Sequence, residues 1–261
     1  MIEHQLPAKL FSIGSLNVYY YGLFYVLGII FILWYLQKYS RFLDGDEASD
    51  FVFYLVIGML VGARLVYVVV YNLEMILQNP FEFFAVWHGG LSFHGGVIGA
   101  LAAAWLYLRT RKNNVSVLHL ADEAVIPLSL ALALGRIGNF FNGELYGVET
   151  NVAWCVLFQQ ADLCRHPSQL YESLKNVLIF CALLIMHSNG LWKVKGGIFW
   201  SFIGLYGAFR FIIQLFWRVE PVWMFGLSKG SLLCLIMIVC AGVGLGYCMW
   251  KVTDRRSEEK A

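Results

Sequence analysis

Apolar residues fall into seven long stretches, at residues 18–36, 51–70, 93–108, 124–137, 170–186, 197–216 and 232–250. Several approach the ~20 residues that a helix needs to cross a hydrocarbon core. The segment before the first, residues 2–16, is short and mixed and suits a membrane surface. Residues 72–90 hold Pro80, several aromatics and no lysine or arginine, and residues 138–169 form the longest polar interval. The pattern predicts an all-α, polytopic membrane protein of about seven transmembrane helices. It forms a single domain over residues 1–261, with small outer segments near 72–90 and 138–169.

Basic residues give the pattern a direction. Lys38 and Arg41 follow the first stretch. Arg109, Arg111 and Lys112 follow the third, Lys193 and Lys195 the fifth, and Lys251, Arg255, Arg256 and Lys260 the seventh. Intervals after the second, fourth and sixth are poor in basic residues, with Arg165 and Arg218 as exceptions. The positive-inside rule then puts the N-terminus outside and the C-terminus in the cytoplasm. Composition agrees: 59% of the 261 residues are apolar and 14% charged, against about 25% charged in a soluble domain. With 19 basic and 17 acidic residues, no bulk charge points to nucleic acid. The opening residues lack the layout of a cleaved signal peptide, so the first stretch is expected to serve as the insertion signal.

Against this apolar ground the polar residues stand out. Residues 134–147, Leu-Gly-Arg-Ile-Gly-Asn-Phe-Phe-Asn-Gly-Glu-Leu-Tyr-Gly, end the fourth stretch. Arg136 and Asn139, three apart, share a helix face, and Gly138 and Gly143 predict a close backbone approach and a break into irregular structure. A guanidinium at membrane depth needs a counter-ion or an anionic ligand, and amides and glycines around it suit an anion pocket. Arg210 is a second arginine in the outer half of the sixth stretch, and two guanidinium groups suit a phosphate. In Arg165-His166-Pro167-Ser168-Gln169-Leu170-Tyr171-Glu172, Pro167 and Ser168 open a helix. Glu172 has Arg136, Arg210, Arg64 or the helix N-terminus as equal candidate partners. Gly58, Gly62 and Arg64, with Tyr67 and Tyr71, read as packing around a buried charge.

Trp87-His88-Gly89-Gly90-Leu91-Ser92-Phe93-His94-Gly95-Gly96 enters the third stretch. His94 is a candidate general base or proton relay; the alternative is an imidazole bonded to a backbone carbonyl. His88 and His94 have no companions at zinc spacing, so no metal site is expected. Cys181, Cys234, Cys240 and Cys248 lie in apolar stretches as fillers, while Cys155 and Cys164 lie in the outer interval, where they are open to oxidation.

In order along nearly the whole chain, these residues resemble the prolipoprotein diacylglyceryl transferases of bacterial inner membranes. The likeness is carried by Tyr20-Tyr21-Gly22-Leu23-Phe24-Tyr25, Gly62-Ala63-Arg64, Ser92-Phe93-His94-Gly95-Gly96, residues 135–147, residues 166–172 and Phe209-Arg210. It implies transfer of the diacylglyceryl group of phosphatidylglycerol to the thiol of a lipobox cysteine in a prolipoprotein, with glycerol phosphate released. It also implies that Arg136 binds the phospholipid and that Tyr21, His94, Asn139, Glu144, Gly147, Glu172 and Arg210 are site positions. Tyr25 and Arg64, in matching segments, join the substrate-binding candidates. Partners are phosphatidylglycerol, the signal peptide and lipobox segment of the prolipoprotein, and the bilayer; no cofactor is expected. The inner membrane is the implied location, with the site towards the periplasm. Two positions depart from the family pattern: Gln214 stands where a glutamate is usual and Trp217 where an arginine is usual, with Arg218 next to it.

The chemistry fits this resemblance. A thiolate attacking a glycerol carbon displaces a phosphate ester, so charge grows on the leaving oxygen. Arg136 and Arg210 would stabilise it, and Asn139 would add a hydrogen bond. A thiol of pKa about 8.5 needs a base or a cationic setting, and His94, with Tyr21 to orient or relay, is the candidate. The rival readings are an anion or lipid transporter, which would favour internal repeats that this chain lacks, and a non-catalytic scaffold, which needs no convergence of polar residues.

Overall fold

A computed structural model describes residues 2–14, 16–74, 79–84, 89–110, 115–218 and 220–258. Among the described residues there are seven long helices: α1 Tyr20–Tyr39, α2 Gly45–Tyr71, α3 Phe93–Thr110, α4 Val117–Phe141, α5 Ser168–Ser188, α6 Gly197–Trp217 and α7 Lys229–Glu258. Six are long and apolar enough to cross a membrane. The exception is α3, of 18 residues, which carries His94 near one end and Arg109 near the other. The opening segment carries short strands. β1 (Ile2–Glu3) pairs in parallel with β4 (Val156–Leu157), and β2 (Lys9–Ile13) forms a hairpin with β3 (Leu16–Tyr19). A last hairpin joins β5 (Val222–Met224) to β6 (Leu227–Ser228).

The chain forms two compact units, Met1–Trp34 with Ala121–Ala261, and Tyr35–Leu120. In the second unit α2 begins six residues before the apolar stretch that predicts it. Asp44 and Glu47 form a capping box there, with Asp44 Oδ1 accepting from Glu47 N at 2.8 Å and Glu47 Oε2 from Asp44 N at 3.1 Å. Gly58 and Gly62 lie against the Gly95–Gly99 backbone of α3, where a Cβ on either would collide with a carbonyl. Arg64 is 2% exposed and donates to the carbonyls of Glu82, Phe83, Gly89 and Gly90. A buried charge is here met by backbone dipoles, and the guanidinium ties α2 to the segments that precede α3.

The fourth apolar stretch predicts a short helix over 124–137, but α4 runs from Val117 to Phe141 and lies in the first unit from Ala121 onward. At its beginning, the carboxylate of Asp122 accepts from the backbone N–H groups of Gly196 and Phe199, both at 2.7 Å, and so caps α6 from outside that helix. At its far end Gly138 does not break the helix. Its missing side chain admits Tyr21 of α1, since a Cβ there would lie 3.0 Å from Tyr21 Cδ2. The break falls at Gly143, in the left-handed region at φ 67°. Because Asp122 joins the starts of α4 and α6, those two helices leave from the same end, whereas α5 begins at the other end, where α4 finishes. Residues late in α4 and α6 therefore meet residues early in α5. Ile126, Ile179, Leu183 and Ile198 fill the interior at 1% exposure or less, while Val239 and Val243 of α7 are 66% and 70% exposed. An apolar outer surface of that kind fits a lipid surrounding.

Candidate functional site

Glu172 lies near the start of α5 and is 0% exposed. A buried carboxylate is tolerable only when paired, and this one has three cations around it. Arg210 Nη1 donates to Oε1 at 2.7 Å and Lys175 Nζ to Oε2 at 2.8 Å, while Arg136 Nε stands 3.9 Å from Oε2. Of the partners the sequence left open, Arg210 binds directly and Arg136 loosely, and Arg64 is spent on carbonyls. Lys175 was not anticipated. It is 3% exposed and sits 3.7 Å from the centre of the Tyr206 ring, so a carboxylate and an aromatic face share its charge. Its signal in the sequence was the Glu-x-x-Lys spacing, which puts the two side chains on one helix face.

The Arg136 motif is wired to the same helix. Arg136 Nη1 lies 3.4 Å from Asn139 Oδ1, Asn139 Nδ2 donates to Glu144 Oε1 at 2.8 Å, and Asn142 Nδ2 reaches the same oxygen at 3.3 Å. Asn139 thus orients Arg136 with one end of its amide and holds Glu144 with the other. The first turn of α5 pins the turn that follows α4. Gln169 Nε2 donates to the Glu144 carbonyl at 2.6 Å and Ser168 Oγ to the Leu145 carbonyl at 2.9 Å. The helix opens at Ser168 with Pro167 at its N-cap, as the sequence predicts, and the Ser168 hydroxyl serves the preceding turn and not its own helix. Those bonds hold Leu145 at φ 58°, a left-handed conformation that costs a branched side chain energy. Gly147 donates its N–H to the His166 carbonyl at 2.9 Å, and any Cβ there would strike the Trp217 carbonyl. Tyr21 donates to the Tyr25 hydroxyl at 2.8 Å and lies in the field of Glu144 and Arg136.

Cys155 and Cys164 form a disulfide with their Cα atoms 5.6 Å apart, closing the segment that leads into Arg165 and His166. Behind it, Tyr171 OH accepts from Trp154 Nε1 at 2.8 Å and contacts His166 Nδ1 at 2.9 Å. Burial lowers the pKa of His166 from its usual 6.5. A folded-state pKa below the unfolded one means that protonation favours unfolding, so this contribution is present above about pH 6.5 and fades as pH falls below it. A His166→Gln variant is expected to lose less thermal stability than the parent between pH 7 and 5, as read by melting in detergent.

Tyr21, Tyr25, Arg136, Asn139, Glu144, Gly147, Glu172 and Arg210 all belong to the first unit, and Arg64 and His94 to the second. His94 is exposed at the start of α3, with its ring 5.9 Å from that of Phe93; Trp87 and His88 lie outside the described residues. Among the described residues, no three His, Cys, Asp or Glu side chains gather as a metal ion would require.

Residues 8–247 match the family model described as prolipoprotein diacylglyceryl transferase. Curated relatives agree. The phosphatidylglycerol–prolipoprotein diacylglyceryl transferase of Geobacter sulfurreducens is 38% identical, covering 94% of this chain and 95% of its own. That of Wolbachia pipientis is 37% identical over 90% and 92%, and that of Aeromonas salmonicida 35% over 92% and 89%. The chain belongs to the prolipoprotein diacylglyceryl transferase family. It is a membrane transferase of lipoprotein modification.

The two departures from the family pattern occupy defined places. Gln214 is buried, and its Nε2 donates to Ser228 Oγ at 3.1 Å beside the start of α7. Trp217 gives its carbonyl to Val148 N at 3.1 Å and sets its ring 5.4 Å from that of Tyr171. Arg218, the position after Trp217, sets its Nε 4.0 Å from Glu220 Oε1.

Proposed function

We propose that the protein transfers the diacylglyceryl group of phosphatidylglycerol to the lipobox cysteine of a prolipoprotein, and that the cluster around Glu172 is the phosphate-holding end of its site. One observation carries this reading: Arg136, Lys175 and Arg210 surround a single carboxylate, and Arg136 is held only at 3.9 Å. The surplus positive charge calls for an anion, and the loosely held guanidinium is the group available to grip it in the bidentate manner of phosphate recognition. As the thiolate displaces the phosphate ester, charge grows on the leaving oxygen, and Arg136 and Arg210 stabilise it. Asn139, with its amide engaged by Glu144, contributes by aiming Arg136. The base role rests on the chemistry of His94, an exposed imidazole.

In this proposal all seven helices cross the inner membrane, with the N-terminus outside and the site towards the periplasm. The shared starting end of α4 and α6 and the opposite start of α5 support that alternation. So does the Cys155–Cys164 disulfide, a bond at home on the oxidising side of a bacterial inner membrane. The test is reconstitution into vesicles with phosphatidylglycerol labelled in its acyl chains and a lipobox peptide. Label is expected on the peptide cysteine, with release of glycerol phosphate. Movement of labelled lipid without thioether formation would favour a transporter and defeat the proposal.

A further inference from the structure

Glu172 has two oxygens and three cationic neighbours, and the way they are shared is uneven. Arg210 takes Oε1 at 2.7 Å and Lys175 takes Oε2 at 2.8 Å, leaving Arg136 at 3.9 Å from Oε2. At that separation Arg136 makes an ion pair with no hydrogen bond. Lys175 thus fills the place on Glu172 that Arg136 would otherwise take. The lysine is costly to bury, with a side chain 2% exposed, and the Tyr206 ring 3.7 Å away offsets part of that cost. Arg136 keeps a side chain 21% exposed, and its one hydrogen bond among the described contacts is the long 3.4 Å approach to Asn139. A compact ammonium suits the inner place because it satisfies one oxygen from within the same helix.

We infer that Lys175 is a positioning residue: by occupying Oε2 of Glu172, it keeps Arg136 from collapsing onto that carboxylate and leaves its guanidinium free to bind the phosphate of the lipid. The inference rests on the proposed reaction and deepens it by separating the three cations. Arg210 and Lys175 hold Glu172, Arg136 grips the phosphate directly, and Arg210 adds its charge to the field of the leaving oxygen from its place on Glu172.

The experiment uses the full chain in vesicles with phosphatidylglycerol as the varied substrate and a lipobox peptide held constant. With Lys175→Met, Arg136 closes on the vacated oxygen. KM for phosphatidylglycerol is expected to rise roughly tenfold or more, the loss of one charge-assisted interaction, while kcat changes much less. Lys175→Arg, which keeps a donor on Oε2, is expected to restore most of the KM. A second variant guards against loss of folding: Glu172→Gln with Lys175→Met removes both charges together and gives Arg136 no anion to close upon. Its kcat falls, but its KM is expected to lie nearer the parent value than that of Lys175→Met. An unchanged KM in Lys175→Met, or a KM raised as much in the double variant as in the single, overturns the inference. A parent enzyme that moves no diacylglyceryl group to the peptide would instead defeat the proposed reaction, so the two failures are separable.

Discussion

Replacing Glu172 with alanine is expected to remove both activity and much of the stability of the protein. The carboxylate is 0% exposed and is the anion that Arg210, Lys175 and, at longer range, Arg136 have in common. Without it, Lys175 keeps, among the described residues, the Tyr206 ring, and Arg210 loses a 2.7 Å bond. Breaking a buried ion pair by removing one partner costs about 3–5 kcal/mol, and here one substitution strips the buried Lys175 and the partly exposed Arg210 of their carboxylate together. The expected result is a lower thermal midpoint in detergent, less accumulated protein and no measurable transfer. Glu172→Gln, which keeps the shape and one acceptor, should recover part of the stability but little activity. A Glu172→Ala protein as stable as the parent would show that water or lipid compensates these cations, and that the cluster does not hold α4, α5 and α6 together.

Much of this arrangement is legible in the sequence, for identifiable reasons. A helix in lipid must satisfy its own backbone, so apolar runs locate the long helices, six of which are long and apolar enough to cross a membrane. Their ends are less well marked. Polar residues near a helix start read as loop, yet Asp122 lies inside α4 because its carboxylate has distant N–H partners at Gly196 and Phe199. The capping box at Asp44 likewise extends α2 beyond its apolar stretch. The strands at the beginning of the chain escape pattern reading because β1 has two residues and pairs with β4, more than 150 positions away. In the site, the unusual charges were visible but their pairing was not. Spacing along a chain cannot rank Arg136, Arg210 and Arg64 as partners of Glu172, since each comes from a different helix. Lys175 was overlooked because a lone lysine in an apolar run resembles one that reaches for the interface. Only its burial and its 2.8 Å bond to Glu172 show it to be part of the cluster.

Arg136→Ala is expected to give the opposite profile to Glu172→Ala: a protein that folds and barely works. Arg136 is the least committed cation of the cluster, 3.9 Å from Glu172 and 3.4 Å from Asn139. Its loss leaves Glu172 with both short bonds intact, so the thermal midpoint should move little. In the proposed reaction, however, it meets the charge that grows on the leaving phosphate. Removing one donor of this kind costs on the order of 10²–10³ in turnover. Arg136→Lys tests whether charge or geometry matters. An ammonium restores the charge but not the paired N–H groups that a phosphate accepts, so recovery should be partial, with turnover between those of the alanine variant and the parent. The assay is transfer of labelled diacylglyceryl to a lipobox peptide, run beside melting curves for all three proteins. If Arg136→Ala turned over at the parent rate, the anion would have to be held by Arg210 without it. If Arg136→Ala instead melted as early as Glu172→Ala, its guanidinium would be a strut of the bundle, and the division between the cations that hold Glu172 and the one that holds the lipid would fail.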